Sequence, residues 1–157
     1  MSNLDATRLP LNTPWEFHAV PYSATSWARD ARKLVTIHTV ADFWRLMHHL
    51  PPNETCIWVL ARQGHPIDWK QSPMGGCWSA LSHSPDVFKE MAMAAIGETI
   101  LRQDKFDVPM ISISQKRPGL YNAKIFNSDR HYSDFHMWIN GIRGFEKPIY
   151  TPNEKRA

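Results

Sequence analysis

Apolar residues recur every three to four positions in some stretches of this chain and every two in others, and the change of period marks its elements. Val40, Phe43, Trp44 and Met47 keep the i, i+3, i+4, i+7 spacing of a helix with one apolar face. Thr39 suits the cap position before them, and Pro51-Pro52 cannot continue the helix, so a helix is predicted over 40–50. Ser84-Pro85-Asp86 combines a capping serine, a proline fit for the first turn and an acid near the positive end of the dipole. The helix it starts is predicted to run to Ile100 or Leu101. A third helix, capped by Asp129 or Ser133, is predicted through Trp138 to Ile142, with Gly144 ending it.

Between these lie strand patterns. One strand is predicted to start at Trp15 and another to cover Leu34-Val35-Thr36-Ile37. Cys56-Ile57-Trp58-Val59-Leu60 is an unbroken apolar run, as in a buried strand. A further strand follows Gly75-Gly76 and takes in Cys77 to Leu81. Met110 to Ser114 alternates with period two, like a strand with one solvated face. Gln115 to Gly119 is predicted to be a basic turn, Leu120 to Phe126 the returning strand, and Ile149-Tyr150-Thr151 a last strand. Residues 1–14 are polar and punctuated by proline, and are predicted to form an N-terminal arm. Strands interrupted by three helices at irregular intervals predict an α+β fold with a mostly antiparallel sheet. Amphipathic helices need a shared apolar surface, so all three are expected on one face. The other face is left for a ligand.

Composition narrows the class. A chain of 157 residues, 43% hydrophobic and 21% charged, fits one globular domain over 1–157 that buries its core without staples. The net charge of +3 is compatible with an anionic ligand. Cys56 and Cys77 form no CxxC pair, so a zinc ribbon or thioredoxin-like motif is excluded and two reduced thiols are expected. His48 and His49 are neighbours on a helix and point apart, and His131 and His136 lack HExxH spacing. The sequence contains neither a P-loop nor a GxSxG elbow. A binding protein with no metal, cofactor or catalytic residue is expected, not an enzyme. The N-terminal residues lack the basic start and apolar run of a secretory leader, and no apolar stretch nears the ~20 residues that span a bilayer. A monomer that is cytoplasmic, or also nuclear, with no membrane contact, is expected.

The seven tryptophans supply the candidate chemistry. Trp27, in Ser26-Trp27-Ala28-Arg29, and Trp69, in Ile67-Asp68-Trp69-Lys70, stand in segments that read as loops. A core rarely needs its largest side chain in a turn. A ligand with a flat face does, because two indoles can close on it from both sides.

Several ordered pieces resemble the eukaryotic translation initiation factor 4E family, which binds the 7-methylguanosine cap of mRNA. Leu9-Pro10-Leu11 followed by Trp15 resembles that family's arm and first strand. Thr39-Val40-Ala41-Asp42-Phe43-Trp44 resembles its first helix and follows Trp27 at the family's distance. Gly75-Gly76-Cys77-Trp78 resembles its Gly-Gly-x-Trp strand start, and Phe88-Lys89-Glu90 through Ile96-Gly97-Glu98 its second long helix. The resemblance covers roughly residues 9–127. It implies a strongly curved antiparallel sheet with three helices on the convex face and a cap slot on the concave side.

The resemblance assigns Trp27 and Trp69 as plates stacking the methylated base. A methylated guanine is cationic, so each indole face adds roughly 0.5–2 kcal/mol of cation–π attraction to ordinary stacking. The family's next residue is a glutamate that accepts two N–H bonds from the guanine edge. Here that position is Lys70, which has no acceptor. Either Asp68 takes over the edge, or backbone carbonyls read it. Where the family carries a basic residue after the glycine pair this chain has Cys77, so that phosphate contact is expected to be absent. Lys116 and Arg117 lie near the family's other phosphate positions, with Lys124 as a further candidate. The convex face is expected to bind a helical peptide, from a 4G-like scaffold factor or a repressor, through Pro10, Val40, Trp44, Glu90 and Met93, and, by recruiting the scaffold, to start translation. The alternatives are a cap-binding repressor, a divergent version tuned to another cap, and, least favoured, a cap-modifying enzyme.

Overall fold

In a computed structural model the chain alternates strands and helices in the order β1 (Pro10–Pro21), α1 (Trp27–Asp30), β2 (Arg32–Thr39), α2 (Val40–His48), β3 (Cys56–Arg62), β4 (Gly76–Ser82), α3 (Val87–Gly97), β5 (Met110–Arg117), β6 (Leu120–Asn127) and β7 (Ile149–Pro152). The structure describes residues 9–67, 75–97, 108–127, 139 and 141–153. Among them, seven strands form one curled sheet in the order β2-β1-β3-β5-β6-β4-β7, each antiparallel to its neighbours. No helix among the described residues is long and apolar enough to cross a membrane.

The period-two alternation of the strands divides the interior in two. On the convex face Trp15, Phe17, Trp58, Leu60, Ile111, Ile113 and Ile125 meet Phe43 and Leu46 of α2 and Phe88 and Met91 of α3. Phe88 presents its ring edge-on to Phe17 and Trp58, with centroids 6.5 and 5.4 Å apart. Each aromatic pair adds about 0.5–1.5 kcal/mol beyond burial, so this one side chain pins α3 to two strands. The indole N–H of Trp58 donates to the Pro51 carbonyl at 3.0 Å, satisfying the polar end of a buried ring. On the opposite face Val20, Val59, Ala61, Cys77, Met110 and Phe126 form a smaller cluster, with Trp27, Ala24, Ala31, Ile57 and Ile67 packed on it. β3 is therefore covered on both sides, which is why its sequence is apolar without alternation.

α2 starts where its sequence predicts, and the cap is reciprocal. The Thr39 hydroxyl accepts from the Asp42 N–H at 3.1 Å, and the Asp42 carboxylate accepts from the N–H groups of Thr39 and His38 at 3.2 and 2.9 Å. These bonds, the one from His38 foremost, hold the Asp42 carboxyl below its ordinary pKa.

Several boundaries differ from the sequence prediction. α3 starts at Val87, three residues beyond the Ser84 predicted to cap it, and β3 runs on from Leu60 to Arg62. β1 begins at Pro10 rather than Trp15, so residues 10–14 of the expected arm belong to the sheet. Its ladder with β2 is irregular between Pro10 and Trp15, and the Pro14 carbonyl accepts from Gln63 N–H at 2.9 Å. Proline punctuation thus marks a break in the pairing, not its absence. β2 spans eight residues instead of four. α2 stops at His48, where the His49 N–H turns back to the Leu46 carbonyl. β5 continues through Gln115, Lys116 and Arg117, which shortens the predicted basic turn to Pro118-Gly119, with Gly119 at φ 79°. α2 and α3 lie on the convex face. The third predicted helix falls mainly outside the described residues, Asp129, Ser133 and Trp138 included, and so does the end of α3 beyond Gly97.

Gly76 joins β4 to β7 at a close approach. A Cβ there would meet the Tyr150 ring and lie 2.8 Å from the Thr151 carbonyl oxygen. The Tyr150 hydroxyl meanwhile donates to Asn127 at 3.1 Å, and its ring packs on Trp78 at 4.9 Å. Gly76→Ala is expected to cost about 1–3 kcal/mol through overpacking. The check is thermal unfolding, where the midpoint should drop by several degrees. An unchanged midpoint would contradict the contact.

Candidate functional site

The concave face is built by one residue from each strand in turn. Registered pairs run His18 to Val59, Val59 to Ser112, Ser112 to Lys124, Lys124 to Ser79, and Ser79 to Ile149. Paired residues point to the same side of a sheet, so these six side chains form one row across β1, β3, β5, β6, β4 and β7. The parallel row next to it reads Glu16, Ala61, Met110, Phe126, Cys77 and Thr151. The floor is apolar in its middle, with a lysine beside it.

Trp27 stands over this floor. It is half-buried, and its ring lies edge-on to Phe126 with centroids 6.4 Å apart and planes at 76°. The segment that carries it is not a free loop. Trp27 opens the one-turn helix α1, capped by Ser26, whose hydroxyl accepts from the Arg29 N–H at 3.4 Å. The Asp30 carboxylate closes the turn by accepting from the N–H groups of Thr25 and Ser26, at 3.2 and 3.3 Å. With Arg29 beside it, its pKa is lowered. Upstream, the Tyr22 hydroxyl donates to the Asn53 carbonyl at 2.8 Å and accepts from the Gln115 N–H at 2.7 Å, tying the segment to β5. Burial raises the pKa of that phenol. Trp69, Asp68 and Lys70 lie outside the described residues.

The three basic candidates do not meet at one point. Lys124 is half-buried on the central row, flanked by Ser112 and Ser79. Lys116 and Arg117 are exposed at the far end of the β5–β6 hairpin, where Arg117 pairs with Leu120 across an irregularity. Four residues of strand separate Leu120 from Lys124, roughly 13 Å. Cys77 belongs to the floor. Burial pushes its thiol up to about 12, with Lys124 pulling weakly the other way, so the sulfur is protonated and inert at neutral pH.

Two floor residues carry no signal in the sequence beyond the alternation of their strands. Phe126 supports Trp27. His18 is only 8% exposed, and both its ring nitrogens are buried without a hydrogen-bond partner among the described residues. Desolvation lowers its pKa below the ordinary 6.5, Glu16 opposing and Lys33 reinforcing the shift. Among the described residues no group of three His, Cys, Asp or Glu side chains is placed to hold a metal ion.

Across the sheet, Leu11, Val40, Phe43, Trp44, Met93 and Ile96 line an apolar groove of about 180 Å³. The capping box sets the rotation of α2, so Phe43 and Leu46 point inward and Trp44 stays half-buried at the rim. Phe43 and Trp44 meet edge-on at 5.0 Å. Of the predicted partner residues, Val40, Trp44 and Met93 converge here. Pro10 is exposed at the start of β1 beside Leu11. Glu90 lines a neighbouring polar cavity with Lys89 and Arg143.

The family model for eukaryotic initiation factor 4E matches residues 10–142. The chain belongs to the eukaryotic initiation factor 4E family. Solved members of the family share its fold at low identity. Ascaris suum eIF4E-3 in complex with an m2,2,7G cap superposes with a TM-score of 0.74 at 18% identity, covering 96% of this chain and 94% of that one. C. elegans eIF4E-3 with the 4E-binding protein Mextli and a cap analog gives 0.70 at 20% identity, over 85% and 82% of the two chains. Schistosome eIF4E complexed with m7GpppG and 4E-BP gives 0.68 at 16% identity, over 84% and 79%. The curled sheet with helices on its convex face is thus the family fold, as the resemblance implied.

Proposed function

We propose that this protein binds the 7-methylguanosine 5' cap of mRNA on the concave face and a helical peptide, from a 4G-like scaffold factor or a repressor, on the convex face. The observation that carries the reading is Trp27. A large aromatic ring is held by its own capped turn over an apolar floor, in a family whose solved members include cap complexes. In this reading Trp27 and Trp69 stack the base from both sides, and Phe126 and Cys77 form the slot floor. Lys124 takes the phosphates nearest the base, and Lys116 and Arg117 meet the chain further out. A neutral Cys77 at a position where the family carries a cation favours a divergent slot, its phosphate grip moved to Lys124.

The test is tryptophan-fluorescence quenching with m7GTP and GTP. The methylated nucleotide should bind at least about ten-fold more tightly, because only the cation gains the π attraction. Equal affinities would overturn the reading. Asp68→Ala then separates two ways of reading the guanine edge. If the carboxylate accepts the N–H bonds, the preference for m7GTP should drop by about ten-fold or more, one charge-assisted bond being worth roughly 1.5–3 kcal/mol. An unchanged preference assigns the edge to backbone carbonyls.

A further inference from the structure

The segment that carries Trp27 is two turns end to end. The Ala24 N–H donates to the Pro21 carbonyl at 2.9 Å and closes the first, and α1 with its Ser26 cap is the second. Thr25, Ser26, Arg29 and Asp30 make their side-chain hydrogen bonds inside the segment. Among the described residues, the only side-chain hydrogen bonds that leave it meet at one atom. That atom is the Tyr22 hydroxyl oxygen, 2.8 Å from the Asn53 carbonyl and 2.7 Å from the Gln115 nitrogen. Its other hold on the sheet is the apolar contact of Ala24, Trp27 and Ala31 with the floor cluster. Gln115 has a donor to offer because β5 outruns its neighbour. The β3–β5 ladder ends at Trp58 and Ile113, and continued in register it would set Cys56 opposite Gln115. The buried Asn53 amide is wedged in that place, donating to the Cys56 and Ile113 carbonyls at 2.9 and 3.3 Å. The Gln115 N–H therefore turns to the phenol instead of a strand. The Asn53 carbonyl that accepts from Tyr22 belongs to a residue pinned on β3 and β5, so it is a fixed point.

We propose that Tyr22 is a positioning residue of the cap site, holding Trp27 in place over the concave floor through these two bonds. The inference rests on the cap-binding reading. Apolar contact is non-directional, so a turn resting on Val20, Val59 and Ala61 alone is free to slide on them. Two hydrogen bonds at one oxygen fix both its distance and its direction. The ring must stand flat against the base for the cation to lie over its face, and the attraction fades as that alignment is lost. A plate already in place binds without the cost of ordering the segment at that moment. The same oxygen ties the stacking ring to the β5–β6 hairpin, which carries Lys124 opposite Ser112. The spacing between the base and its phosphate cation is thereby set by the fold. Burial raises the pKa of the phenol, so at neutral pH it keeps the proton that it donates to Asn53. Tyr22 touches no ligand in this arrangement and acts through Trp27.

The experiment titrates wild-type protein and Tyr22→Phe with m7GTP and with GTP. The substitution removes one oxygen and keeps the ring. The melting midpoint should fall by no more than a few degrees, so the variant is folded at 25 °C and its affinities report the site. Affinity for m7GTP should fall roughly five-fold, within the factor of about two to ten that one net hydrogen bond represents. Affinity for GTP should fall by less than about two-fold, because a neutral base has no cation to align with the ring. The preference for the methylated nucleotide should therefore drop by more than about two-fold. A loss of folded protein alone would lower both affinities by one factor and leave that preference untouched. Exchange of the Gln115 amide hydrogen should quicken by about ten-fold in the variant, which reports the lost bond directly. The proposal is overturned if m7GTP affinity stays within about two-fold of wild type, if m7GTP and GTP weaken equally, or if Gln115 exchange does not change. Failure of wild-type protein to distinguish m7GTP from GTP would instead strike the cap-binding reading itself.

Discussion

Trp27→Ala is expected to abolish retention of the protein on an m7GTP column. One face of the base loses stacking worth about 1–3 kcal/mol together with the cation–π attraction, a combined loss of affinity of roughly 100-fold. The fold should survive. Trp27 is half-buried and packs on the smaller of the two clusters, away from the aromatic core beneath α3. Its removal should cost about 1–2 kcal/mol of burial, a drop of a few degrees in melting midpoint. Trp27→Phe keeps a flat ring on the same capped turn and should recover part of the binding, with a weaker preference for the methylated base. A soluble, folded alanine variant that is still retained would remove Trp27 from the site. Trp69→Ala should behave in the same way if the base lies between two indoles.

The two tryptophans show how far the residue pattern reaches. Trp27 was expected in a loop because α1 is a single turn, too short for any helical period to register. What fixes it is side-chain bonding by Ser26 and Asp30 within a few residues, and such caps read as ordinary polar loop chemistry. The long elements were legible because their periods persist. The α2 stripe, the alternation of β5 and the glycine pair before β4 each point to the element that forms. Boundaries were less so. Pro10, Gln115 and Arg117 pair with the neighbouring strand, and Pro14 joins the sheet through its carbonyl, which proline keeps although it lacks an N–H, so polar or proline-marked sequence does not reveal them. The floor of the slot was hidden for another reason. Phe126 and Cys77 come from β6 and β4, and only the strand order brings them into the cluster under Trp27, with His18 of β1 on the neighbouring row. Lys124 gained weight in the same way. In the sequence it is one lysine in a strand, whereas in the sheet it is the cation on the central row.

Trp44→Ala is expected to remove binding of a helical peptide by roughly 100-fold while leaving m7GTP affinity unchanged. The magnitude is that of an aromatic anchor at the centre of an interface, about 2–4 kcal/mol. The groove has the shape that an amphipathic helix requires. Val40 and Trp44 stand one turn apart on α2, Met93 and Ile96 face them from α3, and Leu11 closes the end from β1. Met93 is 43% exposed, an unbranched side chain able to fit more than one apolar partner. Trp44→Phe should restore a fraction of the affinity, since a ring would still meet Phe43 edge-on. Truncation to alanine also loosens that pair, so the variant should melt slightly lower but remain folded. The proposed cap slot lies on the opposite face, separated from the groove by the sheet and its helix-side core. Trp27→Ala should therefore bind peptide normally, and Trp44→Ala should bind m7GTP normally. Peptide affinity unchanged in Trp44→Ala would show that Val40 and Trp44 belong to the core stripe alone. Simultaneous loss of cap and peptide would show that the groove supports the sheet and not a partner.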